Sequence, residues 1–310
     1  IFVLVVPGSP APKLTVTGEL RRGPRALAEV RQRRLLRQAE DVFDEPLASD
    51  APLRLISAQG AEPSHLHSRP ILGSSPPLVS GLMVTAARPA SARLAVECFQ
   101  RQSYPNREMV IIDDGPTDDL ADYVAGLADE RIRMVRLAST DKTLGELRNT
   151  AVANAHGELV CQWDDDDLSD PDRLWWQVGV LHDSGADACF LERWTILWTD
   201  GPRIAIGTRR LWEGSMVARR EALIEYPALR RGEDSPVAEA IVIRGTVALL
   251  DLPELYIYLV HGNNTFDAAH FDAHWDAATL RVEDPNAYLA HLQNRVPVAQ
   301  ALAAVAGMTS

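Results

Sequence analysis

The chain is poor in cysteine, in basic residues and in long apolar runs, and each shortage removes a class of protein. Three cysteines in 310 residues, Cys98, Cys161 and Cys189, stand far apart with no CxxC pair. That argues against a disulfide scaffold and against a zinc site, and fits buried thiols in a reducing cytoplasm. Lysine and arginine total 31 against 43 acids, a formal net charge of −12. A broad phosphate-binding surface is excluded by that balance, so nucleic acid is not an expected partner. A nucleotide substrate is not excluded, because a metal ion can screen local carboxylates from phosphates. The opening apolar run Ile1–Val6 is too short to span a bilayer and ends at Pro7-Gly8. Arg21-Arg22 lacks the apolar stretch of a twin-arginine signal. No internal repeat or low-complexity tract is visible.

What is present is a strand–helix alternation. Proline and small residues from Arg69 to Pro77 mark a linker. Before it, one helix is expected from Pro24 to Phe43, in an N-terminal extension of unassigned role covering residues 1–77. After it, strands are expected at Leu78–Thr85, Glu108–Ile112, Arg131–Leu137 and Glu158–Trp163. Helices are expected at Ala90–Gln102, Asp118–Leu127 and Leu144–Ala155. This spacing specifies an α/β fold, a mostly parallel sheet with helices on both faces. In such sheets ligands bind beyond the carboxyl ends of the strands. Two acidic clusters, Asp113-Asp114 and Asp164 to Asp167, fall at those ends. Further on, a helix is expected at Asp172–His182 and a strand near Ala188–Trp198, after which Leu211–Tyr226, Asp234–Ile243 and Val247–Val260 form a mixed region.

Four consecutive carboxylates repel one another and are costly unless a cation neutralises them. Hard oxygen ligands select Mg²⁺ or Mn²⁺, which complete their shells with water and phosphate oxygens. A solvated acidic turn capping a helix at Asp170 is the competing reading.

From Pro76 to about Trp275 the motifs occur in a telling order. They are Leu78–Thr85, then Val110-Ile111-Ile112-Asp113-Asp114-Gly115, then Leu147-Arg148-Asn149 with Ala155-His156-Gly157-Glu158. Asp164-Asp165-Asp166-Asp167 with Pro171 follows, and Gly232-Glu233-Asp234 completes the set. In this order they resemble the family 2 glycosyltransferases. The resemblance implies a GT-A fold over residues 78–275, followed by a helical tail over 276–310. It also implies a sugar moved from a nucleotide diphosphate to an acceptor hydroxyl with inversion, in polysaccharide or glycoconjugate synthesis. The donor would meet Thr85, Ala87, Asp113, Asp114, Arg148, Asp164 and Asp165. Asp166 and His261 would hold Mn²⁺ or Mg²⁺, with Asp167 behind them. Asp234 would be the general base and Glu233 its alternative. Trp194 and Trp212, with Trp198, are candidates for packing on an acceptor sugar, and Arg219-Arg220 for an anionic acceptor. Ala86 and Ala87 stand where the family often has an aromatic and Asn, so no base-stacking platform is provided there and a UDP-sugar is favoured only slightly. The expected partners are that donor and a glycan or other hydroxyl acceptor, in the cytoplasm or at the inner membrane through partners, with an oligomer compatible. The competing class is a catalytically silent nucleotide-sugar module of a larger assembly protein.

Overall fold

A computed structural model describes residues 2–5, 70, 75–137, 140–201 and 203–306. The helix expected at Pro24–Phe43 and most of the linker lie outside the described residues. Elements run in chain order as β1 (Phe2–Val5), β2 (Val79–Thr85), α1 (Pro89–Gln100), β3 (Arg107–Asp113), α2 (Asp119–Leu127), β4 (Ile132–Arg136), α3 (Leu144–Ala153), β5 (Leu159–Asp164), β6 (Leu168–Ser169) and α4 (Arg173–Ser184). The second half holds β7 (Ala188–Leu191), β8 (Thr195–Trp198), β9 (Arg203–Ile206), β10 (Trp212–Arg219), α5 (Asp234–Arg244), β11 (Val247–Leu250), β12 (Tyr256–Val260), α6 (Ala268–Asp276), β13 (Leu280–Arg281), α7 (Pro285–Gln293) and α8 (Val298–Ala306).

The local chemistry matches the elements. Pro89 opens α1 at a position where a missing N–H costs nothing. Thr143 and Glu146 form a capping box at α3, the Glu146 carboxylate accepting from Thr143 N at 2.8 Å. Strands β2, β3 and β5 are apolar on both faces, and their alternate residues feed two cores. Val79, Met83, Met109, Ile111 and Trp163 pack on one side with α1 and α4. Leu82, Val110, Ile112 and Val160 pack on the other with α3 and α5.

The main sheet has the order β1-β11-β7-β10-β5-β2-β3-β4. All its pairings are parallel except those of β10, which runs against β5 and β7. Register brings the strand ends together: Thr85 pairs with Asp113, and Val84 with Asp164. A smaller sheet, β13-β9-β8-β12-β6, stands beside it.

One expected strand is corrected, and one stretch of the mixed region takes the same form. Ala188–Trp198 and Val247–Val260 each divide into two strands, one in either sheet. Both cross at the same seam, where buried Arg193 donates to both oxygens of Asp251 at 2.7 and 2.8 Å. Arg209 joins from the side, on Glu192 at 2.6 Å and Asp251 at 3.1 Å. Apolar residues on either side of the crossing make each run look continuous in sequence.

Helices α7 and α8 lie beyond residue 276 and share the first core through Tyr288, Leu292 and Val298. Arg295 fastens them, donating to Asp170 at 2.6 Å and Asp172 at 2.9 Å. Asp170 is therefore a clasp for Arg295, and Asp172 takes the position before α4.

Candidate active site

The site begins with β5. Its apolar body is buried, and the chain emerges from the sheet at Asp164. Beside it, β2 ends at Thr85, whose hydroxyl donates to Asp165 at 2.6 Å. Strand β3 ends at Asp113, where one carboxylate oxygen accepts from Gly115 N at 2.8 Å. Its other oxygen is buried without a hydrogen bond, with Arg136 Nη1 at 3.6 Å. Asp114 is spent on the loop, accepting from Thr140 N at 2.5 Å. A shallow pocket at these strand ends is lined by Thr85, Ala87, Arg88, Asp113, Gly115 and Leu120. Asp113 therefore offers an acceptor to an N–H or O–H group entering that pocket.

Each carboxylate of the run has a different partner. Asp164 accepts from Arg148 Nη2 at 3.1 Å and Tyr256 Oη at 2.9 Å. Asp165 is pushed up to about 7 by burial and by the charge of Asp166, against the pull of Arg88. Burial also works against ionising Asp166, but the His261 hydrogen bond and Arg88 overcome it and hold Asp166 below the usual carboxylate range. Asp167 is raised well above that range by burial and by Asp166 and Asp164.

Tyr256 Oη lies 2.6 Å from Asp167 and 2.9 Å from Asp164, yet a phenol has one proton. The phenol thus stands between the two carboxylates and ties them together, with one proton to donate. Asp167 also accepts from Leu259 N at 2.9 Å, so it braces the run from behind, on β12.

His261 follows β12 and is buried. Its Nε2 sits 3.1 Å from Asp166 Oδ2, across 95 residues of sequence. Asn264 frames the loop, accepting from His261 N at 2.8 Å. Two ligands at roughly 2.1 Å from one ion and at right angles lie about 3 Å apart, so this oxygen and nitrogen fit two cis positions of a Mn²⁺ or Mg²⁺ shell. Among the described residues no group of three or more such side chains gathers round one point. The remaining positions of that shell would fall to phosphate oxygens and water.

On the opposite side, α3 and α5 meet through Arg148. Its guanidinium donates to Glu233 at 2.6 Å as well as to Asp164, and all but one-tenth of its side chain is covered. The expected position facing a diphosphate is thus occupied by an ion pair. Glu233 is 2% exposed; burial raises it and Arg148 opposes the rise. Asp234 is the first residue of α5 and remains partly exposed. Gln162 spans the gap, with Nε2 3.5 Å from both Asp164 and Asp234.

The tryptophans need correction. Trp194 is 1% exposed, stacked on Trp212 at 4.2 Å between ring centroids. Trp198 is 2% exposed against Trp275. Neither offers a ring face to a sugar; both are core, Trp194 beside the seam between the sheets and Trp198 at the far end of β8. Trp212 is half-buried, and its indole Nε1 has no hydrogen-bond partner. Arg219 and Arg220 each donate to a backbone carbonyl, of Ala186 and Ala155.

Three site residues escaped sequence reasoning: Arg88, Gln162 and Tyr256. Tyr256 looks like any aromatic in a strand. Arg88 carried one signal, a cation at the position before Pro89 where a helix start prefers Ser, Thr, Asp or Asn.

In an open α/β sheet the carboxyl ends of the parallel strands, where these carboxylates stand, are the place where ligands bind. Residues 82–224 match the family described as Glycosyl transferase family 2. Over 102 residues the chain is 39% identical to WcaA of Escherichia coli K12, a provisionally named colanic acid biosynthesis glycosyl transferase, covering 32% of this chain and 36% of that protein. EpsE of Bacillus subtilis, a provisionally named glycosyltransferase, is 34% identical over 90 residues, 28% of this chain and 32% of its own. The matched stretch thus spans about a third of the length of these curated relatives. In three dimensions the chain is similar to the 1–349 fragment of S. aureus TarS, with TM-score 0.51 and 17% identity over 63% of this chain and 68% of that one. It is also similar to the mannosyltransferase PcManGT of Pyrobaculum calidifontis, solved with GDP-Man and Mn²⁺, with TM-score 0.50 and 18% identity over 83% and 81% of the two chains. Residues 82–224 thus resemble glycosyltransferase family 2, and the fold is similar to that of the GT-A glycosyltransferases.

Proposed function

We propose that this chain transfers a glycosyl group from a nucleotide diphosphate donor to an acceptor hydroxyl, with inversion, using a divalent cation. One observation carries the reading: His261 and Asp166, far apart in sequence, meet at the strand ends near the pocket lined by Thr85, Arg88 and Asp113. Asp113 accepts from the base or ribose, and Thr85 and Asp164 flank the rest of the nucleotide. Asp166 and His261 would hold Mn²⁺ or Mg²⁺, which when bound offsets the charge of the departing diphosphate. Asp234 takes the proton of the acceptor hydroxyl as it attacks. Gln162 keeps the Asp234 carboxylate turned toward Asp164, and Arg148 with Glu233 fixes the loop that carries it.

No helix among the described residues is long and apolar enough to cross a membrane. The three cysteines are free and buried, which supports a reducing compartment. TarS has been solved with UDP and with UDP-GlcNAc, and PcManGT with GDP-Man, which supports a nucleotide-sugar donor without choosing the base. WcaA's name supports an acceptor in exopolysaccharide or glycoconjugate synthesis.

A panel of UDP- and GDP-sugars tested by thermal shift with and without Mn²⁺ decides the matter, since a bound donor raises apparent stability by mass action. The expected result is a shift for one donor that needs Mn²⁺. No shift across the panel would remove the proposal. Slow Mn²⁺-dependent hydrolysis of the bound donor separates an enzyme from a silent binding module.

A further inference from the structure

Arg88 sits where local preference would not put it. The chain leaves β2, turns at Ala87 with φ +56°, and presents Arg88 as the residue before α1. A left-handed alanine is disfavoured, and a cation at a helix N-terminus faces the positive end of the helix dipole. No side-chain cap is formed. The turn is pressed close: a Cβ on Gly115 would stand 2.9 Å from Ala87 N. These unfavourable features are offset by one gain, the reach of the guanidinium into the acidic run. Arg88 Nη1 donates to Asp166 Oδ2, and its Nε lies 3.5 Å from Asp165. Asp166 Oδ2 is the same atom that His261 Nε2 approaches at 3.1 Å. A carboxylate oxygen has two lone-pair sites, and here both are taken.

Resting on the reading of Asp166 as a metal ligand, we infer that Arg88 is an internal counter-cation that competes with the divalent ion for Asp166 and is passed to the nucleotide phosphates when the ion takes its place. The physical reason is Coulombic. A guanidinium and a divalent ion on one buried oxygen repel each other strongly, so occupancy by one weakens the other. Displaced from Asp166, Arg88 has the pocket it already lines, alongside Thr85, Asp113 and Gly115. A diphosphate at the edge of this pocket, between the nucleoside held at Asp113 and the ion at Asp166, supplies paired anionic oxygens that a planar guanidinium suits. The arrangement penalises the metal without nucleotide and rewards the two together. It is a positive coupling between ligands, written into one side chain.

The test needs no sugar transfer. Binding of Mn²⁺ alone is titrated by the electron paramagnetic resonance of free Mn²⁺, then repeated with saturating UDP or GDP, whichever the parent binds. Arg88→Gln should tighten binding of Mn²⁺ alone by about fivefold or more, and shrink the factor by which the nucleotide tightens it. Arg88→Lys, whose single ammonium cannot span Asp165 and Asp166 together, should fall between parent and Gln, and it serves as the readout if the Gln variant does not fold. Affinity for Mn²⁺ alone that is unchanged or weaker in these variants overturns the inference and leaves Arg88 as a brace for the carboxylates. If Asp166→Ala and the parent bind Mn²⁺ equally, the metal reading has failed and this inference with it.

Discussion

Glu233 and Asp234 are adjacent in sequence yet held in opposite circumstances: Glu233 is sealed against Arg148 at 2.6 Å, while Asp234 opens α5 with a 3.5 Å contact from Gln162 on its carboxylate. A general base must give up and regain a proton at low cost. A carboxylate locked in a buried ion pair cannot, so the geometry favours Asp234 for that role. Asp234→Asn should lower transfer by roughly 10²-fold or more, with nucleotide and Mn²⁺ affinities near parental. Steady-state rates with a working donor and acceptor check it, and near-parental transfer would exclude Asp234.

Glu233→Gln should behave differently. It leaves the Arg148 charge buried with Asp164 as its remaining carboxylate partner. We expect a loss of about 3 kcal/mol in unfolding free energy by urea titration, the scale of breaking a buried pair. The Asp234→Asn change, at a partly exposed position, should stay within about 0.5 kcal/mol of the parent. Equal stability for the two variants would contradict the division of roles.

The metal assignment predicts a graded loss. Asp166→Ala should abolish Mn²⁺-dependent nucleotide binding. His261→Ala should weaken Mn²⁺ binding by about 10–100-fold, since a donor is removed and the other ligand loses its neighbour. Isothermal titration with Mn²⁺ and nucleotide measures both. Parental affinity in His261→Ala would reduce His261 to a hydrogen-bonded loop residue.

Gly145 sets the distance between α3 and the segment leading to Asp234. A Cβ there would stand 1.9 Å from the backbone oxygen of Pro227, while Gly145 N donates to Leu229 O at 3.1 Å. Asn149 holds Tyr226 through two further bonds of 2.8 Å. Gly145→Ala must push this segment off the helix, at about 1–3 kcal/mol in stability. Transfer should fall with it, because Glu233 and Asp234 move together. Parental stability by urea unfolding would show that the segment yields freely.

A pH effect should come from Glu254, which burial and the charges of Asp170 and Asp251 push up to about 7. Its pKa is higher folded than unfolded, so its contribution is full below the unfolded value, near 4.5, and is lost as pH rises through about 7. Relative to Glu254→Gln, the parent should lose roughly 1–3 kcal/mol of stability between pH 5 and pH 8. Denaturant unfolding of both proteins at the two pH values reads the difference. A constant difference would show that Glu254 stays solvated.

By itself the sequence determined the parallel sheet, its flanking helices and the acidic clusters at the strand ends. Those features rest on local periodicity, capping residues and turn chemistry, which act over a few neighbours. Asp113 and Asp164 were legible as strand-end carboxylates because each ends an apolar strand, and Asp166 lies two residues beyond. The tertiary structure alone decided which charge meets which. Arg148 chose Glu233 and Asp164, not Glu146, because the residue before α5 and the end of β5 both reach its guanidinium and the capping box already claims Glu146. Trp194 was drawn into the core because its strand changes sheets at the Arg193–Asp251 seam, which two apolar runs concealed. Arg88 and Tyr256 entered the site through contacts spanning 78 and 92 residues. Pairings of that range depend on how whole elements dock, and no spacing in the chain encodes them.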